Sequence, residues 1–118
     1  MKMNDDVVKF IKASDQPVCE ESAKLYRKLI TEEYNELIDA VIDNDEIEKL
    51  DACMDLIWVI LGYCYTKGYN TEAAWAEVAR SNLAKIDPVT GRVLKRADGK
   101  VLKPESWTPP DLTDCLKG

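Results

Sequence analysis

Acidic side chains recur at helical spacing on two consecutive stretches of the chain. The first stretch carries Glu32, Glu33 and Glu36 in LITEEYNEL, and the second carries Asp51 and Asp55 in KLDACMDLIWVILG. At about 3.6 residues per turn, residues three or four positions apart share a face of a helix. Each stretch therefore presents a stack of carboxylates on one side of a helix.

The orientation of these acids leaves two interpretations open, namely a cation site and a solvated run of glutamates of the kind that is common on surface helices. Glu33 falls inside the apolar arc of its helix, with Glu32 and Glu36 at the edge of that arc. Asp51 and Asp55 share a column on a helix that is otherwise almost wholly apolar. Converging carboxylates repel one another and are costly to bury unpaired. In a chain with no His and no paired Cys motif, such oxygen ligands suit Mg²⁺ or Mn²⁺.

Four helices are predicted to position these acids. Apolar periodicity and capping residues place them over residues 5–13, from Glu20 or Glu21 to about Asp43, from about Glu46 to Lys67, and from Asn70 or Thr71 into RSNLAKID. Asp45 is the expected N-cap of the third helix and Thr71 that of the fourth. Turn dipeptides and Pro109–Pro110 predict paired turns or a short hairpin and then extended chain. We expect one all-α domain over residues 1–118, with a helical core at about 5–86 and a basic tail at 87–118.

The third helix predicts self-association, because beyond Asp55 it is apolar on nearly every side. Such a helix must be buried on every side, which a single chain of 118 residues hardly provides. We therefore expect a homodimer or a tetramer. Gly62 lies two turns beyond Asp55 on the same column, where it either leaves room for a ligand or allows close helix packing.

Composition excludes several classes of protein. The chain is 46% hydrophobic and 32% charged, as is typical of soluble globular domains, and its net charge of −6 argues against a nucleic-acid partner. The longest uncharged run, the 11 residues from Leu56 to Thr66, is too short to cross a bilayer. No signal peptide is visible and the four cysteines form no paired motif, so a cytoplasmic setting is expected. The absence of His excludes imidazole catalysis.

The charge distribution suggests a polyphosphate ligand. Residues 1–84 hold 9 Lys/Arg against 17 Asp/Glu, whereas residues 85–103 hold six cations against two acids. A basic tail suits a metal-bound polyphosphate, although it would equally suit a tail lying on an acidic surface. The candidates for contact with phosphates or a base are Asn82, Lys85, Lys100, Lys103 and Trp58. Without His, Glu32 or Glu33 is the natural proton acceptor.

Several segments resemble the MazG-like, all-α nucleoside triphosphate pyrophosphohydrolases, and within them a branch related to phosphoribosyl-ATP pyrophosphatase. They are DQPV, RKLITEEYNEL, LDACMDLIWVILG, VARSNLAKID, DGKVLKP and WTPPDL. The resemblance implies a four-helix MazG-like core, an obligate homodimer or a tetramer of dimers, and cleavage of an α–β phosphoanhydride to a monophosphate and pyrophosphate. It also implies a Mg²⁺ site on Glu33, Glu36 and Asp55, with Glu32 as a further ligand or the base that orients water.

The chain departs from the family pattern at one position. The second motif of the family has Glu three residues before the Asp, and this chain has Ala52 there. Asp51 is the expected substitute, with Glu48 in reserve. Two alternative functions stay open, namely phosphoribosyl-ATP hydrolysis and a non-catalytic helical assembly that holds a structural cation.

Overall fold

Helices account for the regular structure of the computed structural model, which describes residues 1–118 and confirms the predicted all-α fold. The helices are α1 (Lys2–Ala13), α2 (Glu20–Ile42), α3 (Glu46–Thr66) and α4 (Thr71–Leu83), and Thr113–Cys115 forms a 3₁₀ turn. α1 begins three residues earlier than its periodicity suggests, and the 3₁₀ turn was not anticipated. None of the helices combines the length and the apolar character that crossing a membrane requires.

Polar caps set the starts of α3 and α4. The Asp45 carboxylate accepts a hydrogen bond from the Glu48 backbone N–H at 3.1 Å, as expected for an N-cap. The N-cap of α4 is Asn70 and not Thr71, because the Asn70 side-chain oxygen accepts from the Ala73 N–H at 3.1 Å. Thr71 is consequently the first helical residue.

The core forms where α1 packs against the helical hairpin of α2 and α3. Val7 and Ile11 of α1 are fully buried with Tyr26 of α2 and Val59 of α3. Of the two roles predicted for Gly62, room for a ligand or close helix packing, the structure shows close packing. A methyl group at this position would overlap the ring of Tyr26. The α2–α3 contact is therefore tight at this point, seven residues after Asp55 on α3 and seven residues before Glu33 on α2.

The tail returns along α4 of its own chain. Two isolated antiparallel bridges, Ile86 with Val93 and Lys95 with Val101, form the paired turns that the sequence predicts. Further on, the indole N–H of Trp107 donates to the Ser81 carbonyl at 2.7 Å. The Asn70 N–H donates to the Cys115 carbonyl at 2.8 Å, which anchors the chain end beside the α3–α4 turn.

Much of the apolar surface of α3 has no partner within the chain. Its exposed large side chains are Ile47, Leu50, Met54, Ile57, Trp58 and Ile60. Between α3, α4 and the tail lies an apolar groove of about 550 Å³, lined almost entirely by hydrophobic residues. The expectation that α3 is buried on every side is not met by one chain alone.

Candidate metal centre

Three carboxylates meet where α2 and α3 face each other. Oxygen atoms of Glu33, Glu36 and Asp55 all lie within 4.8 Å of one another. The three-residue spacing of the glutamates places them one above the other on α2, and the turn at 43–45 brings Asp55 of α3 against them. These three residues are called the acidic group below.

The acidic group has the properties of a site for a hard divalent cation. Oε2 of Glu33 has almost no contact with solvent and no hydrogen-bond partner, which is costly for a carboxylate oxygen. None of the ion pairs of the chain involves a member of the group. Carboxylate oxygens without nitrogen or sulfur donors suit Mg²⁺ or Mn²⁺, so the residues fit such an ion.

Burial and mutual repulsion raise the pKa values of two carboxylates of the site. The pKa of Glu33 is raised to about 7, first by burial and then by the neighbouring carboxylates of Glu36, Asp55 and Asp51. Burial also raises the pKa of Asp55, and Asp51 and Glu36 raise it further by their negative charge. Such shifts arise where like charges share one place, and a bound cation favours the ionised forms.

Asp51 lies at the edge of the acidic group. Its side chain is exposed, and its negative charge helps to raise the pKa of Asp55. From there an acidic groove of about 430 Å³ continues along both helices to the α2–α3 turn. Its lining residues are Glu36, Asp39, Ala40, Asp43, Asp45, Glu48 and Asp51. The substitute Asp51 and the reserve Glu48 thus border the same groove.

Glu32 is not brought into the acidic group. It is exposed, whereas Glu33 is half-buried and directed at α3. Consecutive residues of a helix point about 100° apart, so only one of the two can face the partner helix. Glu36 contributes an oxygen to the group although most of its side chain is exposed.

The predicted phosphate ligands gather elsewhere, at the C-terminal end of α4 and in the tail. The Lys85 ammonium donates to Asn82 Oδ1 at 3.0 Å. It lies 5.6 Å from the centre of the Trp107 ring, and the Lys103 ammonium lies 4.3 Å from it. Lys100 is exposed. This cation–π arrangement was not predicted from the sequence, where its signal is a Trp within a basic segment.

Trp58, the predicted contact for the base, lies on α3 one turn beyond Asp55. Its ring makes an edge-to-face contact with Phe10 of α1, with ring centres 5.7 Å apart. Phe10 is not among the residues predicted for the site, and 53% of its surface is exposed.

Part of the chain is similar to a viral protein. Over 52 residues it is 42% identical to "Uncharacterized protein L479" of Acanthamoeba polyphaga mimivirus. The match covers 44% of this chain and 21% of the viral protein, so the chain spans a small part of that relative's length.

A family model extends the comparison to most of the helical core. Residues 6–82 match the model described as phosphoribosyl-ATP pyrophosphohydrolase. That range contains α2, α3, most of α1 and nearly all of α4, and with them every member of the acidic group. The family typically uses a divalent metal, in keeping with the oxygen-only ligand set. The chain belongs to the phosphoribosyl-ATP pyrophosphohydrolase family, within the MazG-like superfamily.

Proposed function

We propose that the protein is a Mg²⁺-dependent nucleoside triphosphate pyrophosphohydrolase that also works with Mn²⁺. It would cleave the α–β phosphoanhydride and release a nucleoside monophosphate and pyrophosphate. Such an activity would control the nucleotide pool or remove unwanted nucleotides. We place it in the cytoplasm and expect neither nucleic acid nor membrane as a partner.

One observation carries this proposal, namely the convergence of Glu33, Glu36 and Asp55 around an oxygen atom that lacks a partner. A structural ion pair would supply a Lys or Arg at this place, and the chain supplies none. A divalent ion would supply the missing positive charge, and it would bind the oxygens of a polyphosphate at the same place. Family membership supports the same class of reaction.

The residues divide into three roles. Glu33, Glu36 and Asp55 would hold the ion, with Asp51 completing the ligand set from the edge. When bound, the ion neutralises phosphate charge and lowers the pKa of water. Glu32 and Glu33 are the carboxylates available to accept the proton of the attacking water, because the chain has no His. The remaining candidates, which would stabilise the phosphates and hold the base, are Asn82, Lys85, Lys100, Lys103 and Trp58.

A second candidate substrate is phosphoribosyl-ATP. The description of the matching family names it, and its hydrolysis breaks the same α–β bond. The basic tail lies almost wholly beyond the matched residues 6–82, so the tail is where this chain would differ in substrate choice.

The test is pyrophosphate release from a panel of canonical and modified nucleoside triphosphates and phosphoribosyl-ATP, with Mg²⁺ and with Mn²⁺. We expect turnover of at least one nucleoside triphosphate and its loss in Glu36→Gln and in Asp55→Asn. Glu21→Gln is the matched control, because Glu21 is an exposed acid of α2 outside the acidic group. A metal that raises the melting temperature without any pyrophosphate release would favour the non-catalytic assembly.

We further propose that the working unit is a homodimer or a tetramer. Leu50, Ile57 and Ile60 lie on the side of α3 away from Asp55 and expose 64%, 37% and 42% of their surface. Covering such side chains on association is favourable by about 25 cal/mol per Å² of apolar surface. Sedimentation equilibrium distinguishes the assemblies, and a chain that stays monomeric at micromolar concentration would contradict this proposal.

A further inference from the structure

An exposed aromatic pair lies beside the acidic group. Phe10 of α1 and Trp58 of α3 meet edge to face, with ring centres 5.7 Å apart and ring planes at 75°. Despite this contact, 53% of Phe10 and 37% of Trp58 remain exposed. The core of the chain, built on Val7 and Ile11 of the same α1, does not use the pair.

The position of Trp58 connects this pair to the acidic group. Trp58 follows Asp55 by three residues on a continuous helix, so their β-carbons are neighbours at about 5–6 Å. Phe10 reaches the same place because α1 packs against α3. A guest held at Asp55 by a charged end would therefore have its other end within reach of the pair.

The other two tryptophans are less suited to receive such a guest. The Trp107 ring is occupied by the ammonium groups of Lys103 and Lys85, and its N–H is bonded to the Ser81 carbonyl. Trp75 belongs to α4 and lines the apolar groove on the side of α3 away from Asp55. Trp58 alone combines exposure with adjacency to the acidic group.

We propose that Phe10 and Trp58 form a stacking site for the base of a nucleoside triphosphate whose phosphates lie at the acidic group. This inference rests on the proposed function and adds the residues that distinguish a nucleotide from inorganic polyphosphate. An edge-to-face pair leaves an aromatic face open, and a nucleobase stacks on such a face whatever its hydrogen-bonding pattern. The site selects for a base without strict choice among bases.

Calorimetric titration with two kinds of probe tests the inference. The first probes are α,β-imido nucleoside triphosphates of a purine and a pyrimidine, which resist cleavage, and the second is inorganic tripolyphosphate, each with Mg²⁺. We expect Trp58→Ala to weaken binding of the imido nucleotides by about tenfold and to leave tripolyphosphate binding unchanged. Trp58→Phe retains an aromatic face and should recover most of the affinity. Trp75→Ala is the matched control and should alter neither affinity.

The outcomes separate this inference from the proposed function. Equal nucleotide affinities of wild type and Trp58→Ala, or an equal loss for nucleotide and tripolyphosphate, would overturn the stacking site while the proposed function stands. A selective loss in Trp75→Ala would place the base in the apolar groove and overturn it as well. If wild type binds neither probe in the presence of Mg²⁺, the proposed function fails and the stacking site fails with it.

Discussion

The raised pKa of Glu33 makes the affinity of the acidic group for a divalent cation depend on pH near neutrality. Burial and the surrounding carboxylates raise this pKa to about 7 from an ordinary value of 4.5. A cation binds the ionised carboxylate, so it must displace the proton that Glu33 holds at lower pH. Affinity should therefore rise as the pH rises through 7.

The magnitude follows from the fraction of Glu33 that is ionised. With a pKa of about 7, roughly one molecule in eleven is ionised at pH 6 and roughly ten in eleven at pH 8. The apparent dissociation constant for Mn²⁺ should thus fall about tenfold between pH 6 and pH 8.

Calorimetric titration with Mn²⁺ measures this dependence. At pH 7 binding should release about half a proton, which appears as a dependence of the heat on the ionisation enthalpy of the buffer. Glu33→Gln should bind more weakly and lose the step near pH 7, whereas the control Glu21→Gln should keep it. A flat wild-type affinity from pH 6 to pH 8, with no proton release, would refute the reasoning.

The same shift predicts how the stability of the metal-free protein changes with pH. Because the folded-state pKa of Glu33 lies above its ordinary value, the native state binds more protons than the unfolded state between about pH 4.5 and 7. The stability that the protonated carboxyl contributes is complete below this window and is lost as the pH rises through it. Urea unfolding should give a smaller free energy of unfolding at pH 8 than at pH 5 in the absence of metal. Added Mn²⁺ should restore the free energy of unfolding at pH 8.

The remaining predictions concern the contacts that hold the helices. Asn70→Ala removes the cap of α4 and should lower the free energy of unfolding by about 1 kcal/mol, measured by urea titration; an unchanged midpoint would contradict the cap. Tyr26→Phe removes a 2.8 Å hydrogen bond to Gln16 and should lower the free energy of unfolding by about 0.5–1.5 kcal/mol. An unchanged free energy of unfolding would show that the bond contributes nothing to stability. Gly62→Ala should destabilise by about 1–3 kcal/mol and also weaken Mn²⁺ binding, and a stabilised variant would show that Tyr26 moves aside freely.

The helices were predictable because local signals agree along the chain. Apolar periodicity marks α2, and a nearly continuous apolar stretch marks α3. Asp45 ends the turn between them and caps the start of α3. The N-cap of α4 was placed one residue late, at Thr71, because Asn70 and Thr71 are both competent caps and only the backbone geometry chooses between them.

The sequence predicts which helices carry the site, but it does not determine how α2 is rotated about its own axis. Periodicity places Glu33 inside the apolar arc of α2 and both Glu32 and Glu36 at its edge, and the rotation of the helix decides which of the two edge residues also reaches α3. That rotation depends on side-chain packing, in which Tyr26 and Ala40 are buried while Leu25 and Val41 are exposed. The course of the tail was harder to predict from the sequence, because the tail has no repeating pattern. Its position depends on single hydrogen bonds such as that from the Trp107 indole N–H to the Ser81 carbonyl.

The contact between Tyr26 and Gly62 explains why the acidic group assembles at all. Tyr26 precedes Glu33 by seven residues on α2, and Gly62 follows Asp55 by seven on α3. The two helices run in opposite directions, so the Tyr26–Gly62 contact and the acidic group lie along the same α2–α3 interface. On each helix the two are separated by two turns. The Tyr26 ring packs directly against the backbone of Gly62, and this contact fixes the register of α2 against α3. That register places Asp55 opposite Glu33 and Glu36. A glycine placed by packing thus determines where the carboxylates meet.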